Sequence, residues 1–185
     1  MNKTYKAAIL AAVFPLTYSL SASADEYSLS LSLGAANQIS SNEIGSGIQG
    51  SGLNVKAVTR KSSEPLGIVF SYTGTSDSAQ YTISSAPLIT ADMDYKYRSF
   101  MVGPSYDLND RATIYGLIGS SWARAKINSA SVSLDDKGVA YGAGLQYRIY
   151  NDFLIDAHYE NTTMGSTGDG TDSGTYSIGI GYIFR

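Results

Sequence analysis

The chain has 185 residues and a formal net charge of −3, from 13 Lys and Arg against 16 Asp and Glu, and it contains no cysteine. These numbers exclude a disulfide framework and a thiolate metal site, and an acidic chain is a poor partner for nucleic acid. Nineteen glycines and fifteen tyrosines, with abundant Ser and Thr, favour a β-rich chain with many turns.

The N-terminus has the pattern of a secretory signal peptide. Two lysines precede an apolar run over residues 7–16, and a small-residue stretch ends at Ala24, as in signal peptides with their cleavage site. The run is shorter than the ~20 residues that a spanning helix needs. We therefore predict a signal peptide over residues 1–24 and one mature domain over residues 25–185. Because the peptide holds two of the Lys and no acidic residue, the mature charge is about −5.

Alternation of apolar with small or polar residues predicts the strands of the mature domain. In residues 27–35, Tyr and Leu alternate with Ser and Gly, and such small residues suit the lumen of a narrow barrel. The same period of two returns in residues 141–149, 153–160 and 176–184. Four further strand candidates are residues 51–60, 66–75, 94–106 and 112–127. In the last of these, large apolar residues occupy both faces, so its inward face stays open.

The connections between these eight strands alternate in length. The short ones, with turn residues, are 60–65, 107–111 and 150–152. The long ones, rich in Ser, Thr, Gly and Asp, are about 38–50, 76–93, 128–137 and 161–174. This alternation predicts an all-β fold: an eight-stranded antiparallel transmembrane β-barrel of the bacterial outer membrane, with short periplasmic turns, longer extracellular loops and both termini periplasmic. A closed barrel has no free edge, so we expect a monomer.

Six segments carry motifs in order along the chain: SEPLG (63–67), GPSY (103–106), IYGLIG (114–119), YGAGLQY (141–147), LIDAHYE (154–160) and GIGYIF (179–184). Together they resemble the Ail/OmpX/PagC/Lom family of small enterobacterial outer-membrane proteins. The resemblance implies an eight-stranded barrel with a role in adhesion to host cells, resistance to complement and serum, or envelope maintenance. The chain departs from such barrels at its end, because Arg185 follows the aromatic Phe184.

Ionisable residues are predicted inside the barrel. The alternation directs Asp156, His158 and Glu160 into the lumen, where Lys56 and Arg148 can face them. An enzymatic interpretation would combine His158 with a carboxylate and a serine nucleophile. We favour a polar network that fills a barrel just wide enough for side chains, with its charges paired. We therefore expect no catalytic residue, and a single His without Cys gives no metal site or cofactor.

Four basic residues lie at the loop ends of the fourth and fifth strands: Lys96, Arg98, Arg124 and Lys126. They are expected to meet at the outer rim of the barrel, at the height of lipopolysaccharide phosphates. One hypothesis is therefore a patch that binds lipopolysaccharide in the outer membrane. The alternative, weighted about equally, is ion pairing with Asp92 and Asp94.

The longest predicted loop, residues 76–93, carries four large apolar residues: Tyr81, Ile83, Leu88 and Ile89. Exposed apolar residues often mark a contact surface, so these are candidates for contact with a host surface or serum protein. Alternatively, this segment extends the barrel as a β-ribbon. Each predicted loop is acidic in net charge, although the third holds Lys137 beside Asp135 and Asp136, so a polyanion such as heparan sulfate would find little to bind at the loop tips.

The sequence therefore predicts a non-enzymatic outer-membrane surface protein that acts in adhesion or serum resistance through extracellular loops. The alternative is a structural envelope protein that stabilises the lipopolysaccharide layer. A barrel enzyme acting on lipid or protein is the least favoured, because the one histidine lies in mid-strand among interior charges.

Overall fold

The computed structural model describes residues 26–40, 49–85, 88–127, 132–164 and 171–185. Its strands are β1 (Tyr27–Ser40), β2 (Gln49–Lys61), β3 (Leu66–Ser85), β4 (Leu88–Asp107), β5 (Ala112–Ile127), β6 (Val132–Tyr150), β7 (Phe153–Met164) and β8 (Thr171–Phe184). Each strand pairs antiparallel with the next, and β8 pairs with β1 to close the barrel. The predicted fold class is confirmed. The predicted signal peptide lies outside the described residues, and its cleavage site stays a prediction.

Among the described residues, no helix is long and apolar enough to cross a membrane.

Burial follows the alternation that the sequence predicts. Along β7, exposed and buried residues alternate from Phe153 onward, with Asp156 and His158 buried and Tyr159 exposed, because successive side chains of a strand point to opposite faces. The outer surface is apolar: Ile180 is 72% exposed and Ile118 is 62% exposed. Such an outer face suits contact with lipid, while the small and polar residues face inward.

Aromatic side chains mark two levels of the outer surface. Near the short turns, Tyr182 lies between Phe153 and Phe184, with ring centroids 5.3 and 5.0 Å away. Towards the other end of the barrel, the rings of Tyr159 and Tyr176 are 4.8 Å apart. Ile178 and Ile180, which are exposed on the outward face of β8, lie between these levels. This arrangement matches the aromatic girdles at the two interfaces of a membrane barrel.

The inward face of β5, which the sequence left open, is now assigned. Tyr115 and Leu117 are buried in the lumen, whereas Ile114 and Ile118 are exposed on the outside. Large apolar residues occupy both faces because the lumen has its own apolar layer. That layer contains Val58, Val69, Met101, Tyr115, Leu117 and Ala140.

The strands are longer than predicted, and the loop predicted over residues 76–93 is wrong. Strands β3 and β4 remain paired up to Ser85 and Leu88, so the ribbon alternative is correct. Strands β5 and β6 remain paired up to Ile127 and Val132. By contrast, β2 pairs with β3 only as far as Ser76, and β7 pairs with β6 only from Gly138. Residues 76–85, 88–98, 122–127 and 132–138 therefore form a four-stranded extension of the barrel wall, here called the protruding sheet.

Two glycines on neighbouring strands show how closely the backbones approach in the membrane part of the wall. A Cβ atom added to Gly103 would lie 1.9 Å from the carbonyl oxygen of Gly116. A Cβ atom added to Gly116 would meet no atom within 4 Å. The inward side of β4 thus requires glycine at position 103, whereas the outward side of β5 does not require it at position 116.

Candidate functional site

The lower part of the lumen is organised around one buried carboxylate. Asp156 forms an ion pair with Lys56, and both side chains are almost completely buried. The hydroxyl of Tyr115 donates to the two carboxylate oxygens at 3.1 and 3.2 Å, and the amide of Gln146 donates at 3.0 Å. Both carboxylate oxygens of Asp156 therefore accept hydrogen bonds, as a buried charge requires.

A second carboxylate organises the next part of the lumen. Glu160 accepts a hydrogen bond from the hydroxyl of Tyr97 and another from Thr73, at 3.0 Å. The Tyr97 hydroxyl also lies 2.6 Å from the hydroxyl of Thr162. All four side chains are fully buried, so these groups fill the barrel and hold its strands together.

Among the described residues, His158 lacks the neighbours of a catalytic triad. Its Nδ1 lies 3.3 Å from the hydroxyl of Ser177, and both residues are buried in the wall. Its Nε2 is buried without a hydrogen-bond partner among the described atoms, so no carboxylate orients the ring as in a nucleophile–base–acid triad. Within the same part of the chain, no group of three His, Cys, Asp or Glu side chains could hold a metal ion.

Arg148 does not face the carboxylates of the lumen, which corrects the expectation from sequence. It pairs with Leu154, whereas Asp156 pairs with Gln146, so Arg148 lies one layer closer to the short turns. There it lines a small cavity together with Arg60 and Arg111.

The predicted basic residues come together on the outer face of the protruding sheet. In the pairing of β4 with β5, Lys96 lies opposite Arg124. Arg98 lies two residues after Lys96 on β4, and Lys126 lies two residues after Arg124 on β5, so all four share the outward face. Lys137 on β6 pairs with Trp122 and joins them. We call Lys96, Arg98, Arg124, Lys126 and Lys137 the cationic cluster. Lys137 was missed because its strand was interpreted as a loop.

Four members of the cationic cluster line a concavity of about 520 Å³ that also includes Tyr72 and Trp122; these four are Lys96, Arg98, Arg124 and Lys137. Arg124 is paired within it: its Nη2 donates to Asp135 at 3.1 Å. That hydrogen bond lowers the pKa of the exposed Asp135 carboxyl below its ordinary value. The expected partners were Asp92 and Asp94. Asp94 accepts a hydrogen bond from Ser78 at 2.9 Å, and the side chain of Asp92 lies outside the described residues.

The four apolar candidates for ligand contact lie in the ribbon of the protruding sheet. Tyr81 and Ile83 belong to β3, and Leu88 and Ile89 belong to β4. Ile83 coincides with a shift in the β3–β4 register. Their side chains lie outside the described residues, so their role in contact stays a prediction.

The closed barrel, its apolar outer belt and its polar lumen define an integral outer-membrane protein. A family model described as the outer membrane protein beta-barrel domain matches residues 7–184. The chain belongs to this family, in the group of Ail, OmpX and PagC, which confirms the resemblance seen in the sequence.

Curated relatives show the same group. The attachment invasion locus protein of Yersinia pseudotuberculosis is 35% identical over 121 residues, which cover 64% of this chain and 63% of that protein. The chain thus spans just under two thirds of that relative. Outer membrane protein X of Escherichia coli K12 is 31% identical over 137 residues, covering 72% of this chain and 74% of that protein.

Solved structures agree with the fold. The crystal structure of Ail from Yersinia pestis, in complex with the heparin analogue sucrose octasulfate, aligns with a TM-score of 0.70 and 30% identity. The alignment covers 86% of this chain and 99% of that chain. Neisserial surface protein A aligns with a TM-score of 0.55 and 18% identity over 83% of this chain and 96% of that one, which concerns the fold alone.

Proposed function

We propose that this protein is a non-enzymatic monomer of the outer membrane that contacts host cells or serum proteins through its protruding sheet. In this proposal the protruding sheet is extracellular, and the short turns and both termini are periplasmic. Support for that orientation comes from strand length, since outer-membrane barrels have short periplasmic turns and longer extracellular segments.

The observation that carries this proposal is the pair of strand edges that the protruding sheet presents. Beyond Ser76, the described pairing of β3 is with β4 alone, and before Gly138 the described pairing of β6 is with β5 alone. An edge with unpaired N–H and C=O groups can add a strand from another protein, and the pattern of side chains then gives specificity. Such a surface needs no pocket and no catalytic group.

The names of the relatives support the same function. The Yersinia pseudotuberculosis relative is an attachment invasion locus protein, and a Salmonella typhimurium relative is a virulence membrane protein. The Yersinia pestis structure contains a heparin analogue. In this chain, a sulfated glycan would find positive charge on the cationic cluster, on the wall of the sheet, rather than at the loop tips considered in the sequence.

The test shortens the protruding sheet without opening the barrel. Residues 79–93 are replaced by Asn-Gly, which closes a tight hairpin between Ser78 and Asp94, a pair that is in register. The full and shortened proteins are expressed in a laboratory strain without surface adhesins, and attachment to cultured cells and survival in serum are measured. We expect the full protein to confer one of these properties and the shortened protein to lose it.

A matched control replaces residues 165–170, between β7 and β8, by Asn-Gly, which leaves the protruding sheet intact. This control should keep the attachment or survival of the full protein. Heat-modifiable migration on gels verifies that each variant is folded. Retention of attachment or survival by the variant lacking residues 79–93 would exclude the β3 edge of the protruding sheet as the contact surface.

The cationic cluster favours a second candidate function, stabilisation of the lipopolysaccharide layer. Its five basic side chains lie on the outward face, next to Trp122, and the described acids on that face there are Asp94 and Asp135. Lys and Arg side chains at the outer rim of the barrel can bind lipid phosphates through charge-assisted hydrogen bonds. The quadruple substitution K96Q/R98Q/R124Q/K126Q should therefore weaken lipopolysaccharide-dependent refolding. Unchanged refolding, relative to Lys61→Gln at the other end of the barrel, would argue against this candidate.

A further inference from the structure

Three arginines lie close together at the end of the barrel that carries the short turns, and neither candidate function uses them. Arg60 on β2, Arg111 in the β4–β5 turn and Arg148 on β6 line one cavity of about 20 Å³. Asp110 is the acidic residue of its lining, and Gln146 is among its polar groups. A cavity of this volume has room for one group about the size of a water molecule.

Arg148 is the unusual member of this group. Its Nε is buried and has no hydrogen-bond partner among the described atoms, and no ion pair in the described part of the chain includes it. The positive charges of Arg60 and Arg185 act on it unfavourably, while Asp107 and Asp152 act favourably. The side chain as a whole is half-buried, so the unsatisfied group is the Nε–H donor, and a buried donor without a partner costs free energy.

The two favourable carboxylates are already engaged. Asp107 forms an ion pair with Arg60 and also accepts a hydrogen bond from Thr113 at 2.6 Å. Asp152 forms an ion pair with Arg185 at 3.2 Å. The positive charge of Arg148 therefore has no carboxylate of its own, although its Nε is an available donor.

We infer that this cavity is a binding site for a compact anion, with Arg148 as its principal ligand and Arg60 and Arg111 as neighbouring positive groups. The site accepts either a free halide or one terminal oxygen of a phosphate, because both place a single anionic atom in the available volume. Charge-assisted hydrogen bonds from guanidinium groups supply the attraction. A bound anion would connect β2, the β4–β5 turn and β6 at the end of the barrel.

The test compares anions at constant ionic strength. The full chain is folded in an uncharged maltoside detergent, and its urea midpoint is measured in sodium chloride and in sodium gluconate at about 0.15 M, the physiological ionic strength. Binding to the folded state alone raises stability by mass action. We expect a higher midpoint in chloride for the wild type, complete loss of that shift in Arg148→Met, and its retention in the control Lys61→Gln.

Two further arms identify the source of the anion and guard against a variant that fails to fold. Phosphatidylglycerol added to the gluconate sample should reproduce the shift if a lipid phosphate oxygen enters the site, and should leave it unchanged if only free halide does. In bromide-soaked crystals of the wild type, an anomalous peak is expected within hydrogen-bonding distance of Arg148 Nε. Overturning results are equal wild-type midpoints in all these conditions, equal shifts in Arg148→Met, or no peak beside Arg148.

Discussion

Two ion pairs of this protein join the same types of charge in opposite surroundings. The side chains of Lys56 and Asp156 are 0% and 3% exposed inside the lumen, whereas those of Arg124 and Asp135 are 65% and 58% exposed on the protruding sheet. The buried pair cannot exchange its partner for water. The exposed pair can, because both of its side chains are in contact with solvent.

Burial therefore separates the structural charges from the candidate recognition charges. Removing one member of a buried pair leaves an uncompensated charge, which is strongly destabilising. Removing one member of an exposed pair leaves a hydrated charge and changes stability little. The predictions below test this separation.

The largest effect is expected for Lys56→Met, which leaves Asp156 buried without its cation. The free energy of unfolding should fall by about 3–5 kcal/mol, as measured by urea titration of the protein folded in detergent micelles. The hydrogen bonds from Tyr115 and Gln146 to Asp156 do not supply a positive charge.

A double variant, K56M/D156N, is the control for this prediction. Asparagine keeps an acceptor for Tyr115 and Gln146 but removes the unpaired charge, so much of the lost stability should return. If the single variant were as stable as the wild type, the buried pair would not differ from the exposed one.

A second prediction compares the inside and the outside of the wall without any charge. Gly103→Ala should reduce the free energy of unfolding by about 1–3 kcal/mol, because its Cβ would collide with the backbone of Gly116. Gly116→Ala meets no atom and should be neutral or slightly stabilising. Urea titration of both proteins checks the difference. Equal stability of the two variants would contradict this account of the wall.

A third prediction concerns the exposed pair. Arg124→Gln should leave the urea midpoint unchanged in detergent, because both side chains are hydrated before and after the substitution. The control is Arg98→Gln, which removes a basic side chain of the neighbouring strand β4 on the same outward face as Arg124. A loss of stability comparable to that of Lys56→Met would show that the protruding sheet depends on this ion pair.

The smallest expected effect is a shift in titration. Because a hydrogen bond from Arg124 holds the pKa of Asp135 below its ordinary value, Arg124→Gln should raise that pKa towards the ordinary value. In the wild type, the pair is therefore lost only as the pH falls through the lowered pKa of Asp135. An NMR titration of the Asp135 carboxyl in both proteins measures the change. Identical pKa values would mean that the pair does not persist in solution.

Alternation made the membrane part of the fold predictable from sequence. Strands β7 and β8 have apolar outward residues and small or polar inward residues, so their faces were evident. On β5, Tyr115 and Leu117 are apolar and inward, next to the outward Ile114 and Ile118. A periodic signal cannot separate two apolar faces, and only packing in the lumen decides between them.

The candidate site was predictable in composition but not in geometry. Lys96 and Arg124 lie on predicted strands, so their proximity could be expected from antiparallel pairing. The strands of the protruding sheet carry polar and charged residues in place of a lipid-facing apolar pattern, so residues 76–93 resembled a loop. Lys137 was missed for the same reason. The position of Arg148 along the barrel axis depends on the register between β6 and β7, which a single sequence does not show.

The closure of β1 against β8 has a consequence for how the chain reaches its native state. Leu29 pairs with Phe184, so strands from opposite ends of the domain meet only after nearly the whole chain is ordered. Long-range pairing of this kind forms slowly, because the entropy of loop closure opposes it before any contact stabilises it. Until Thr171 and the residues after it arrive, β1 and β7 remain open edges that can pair with other chains. The last strand therefore converts an aggregation-prone sheet into a molecule that has no edge within the membrane.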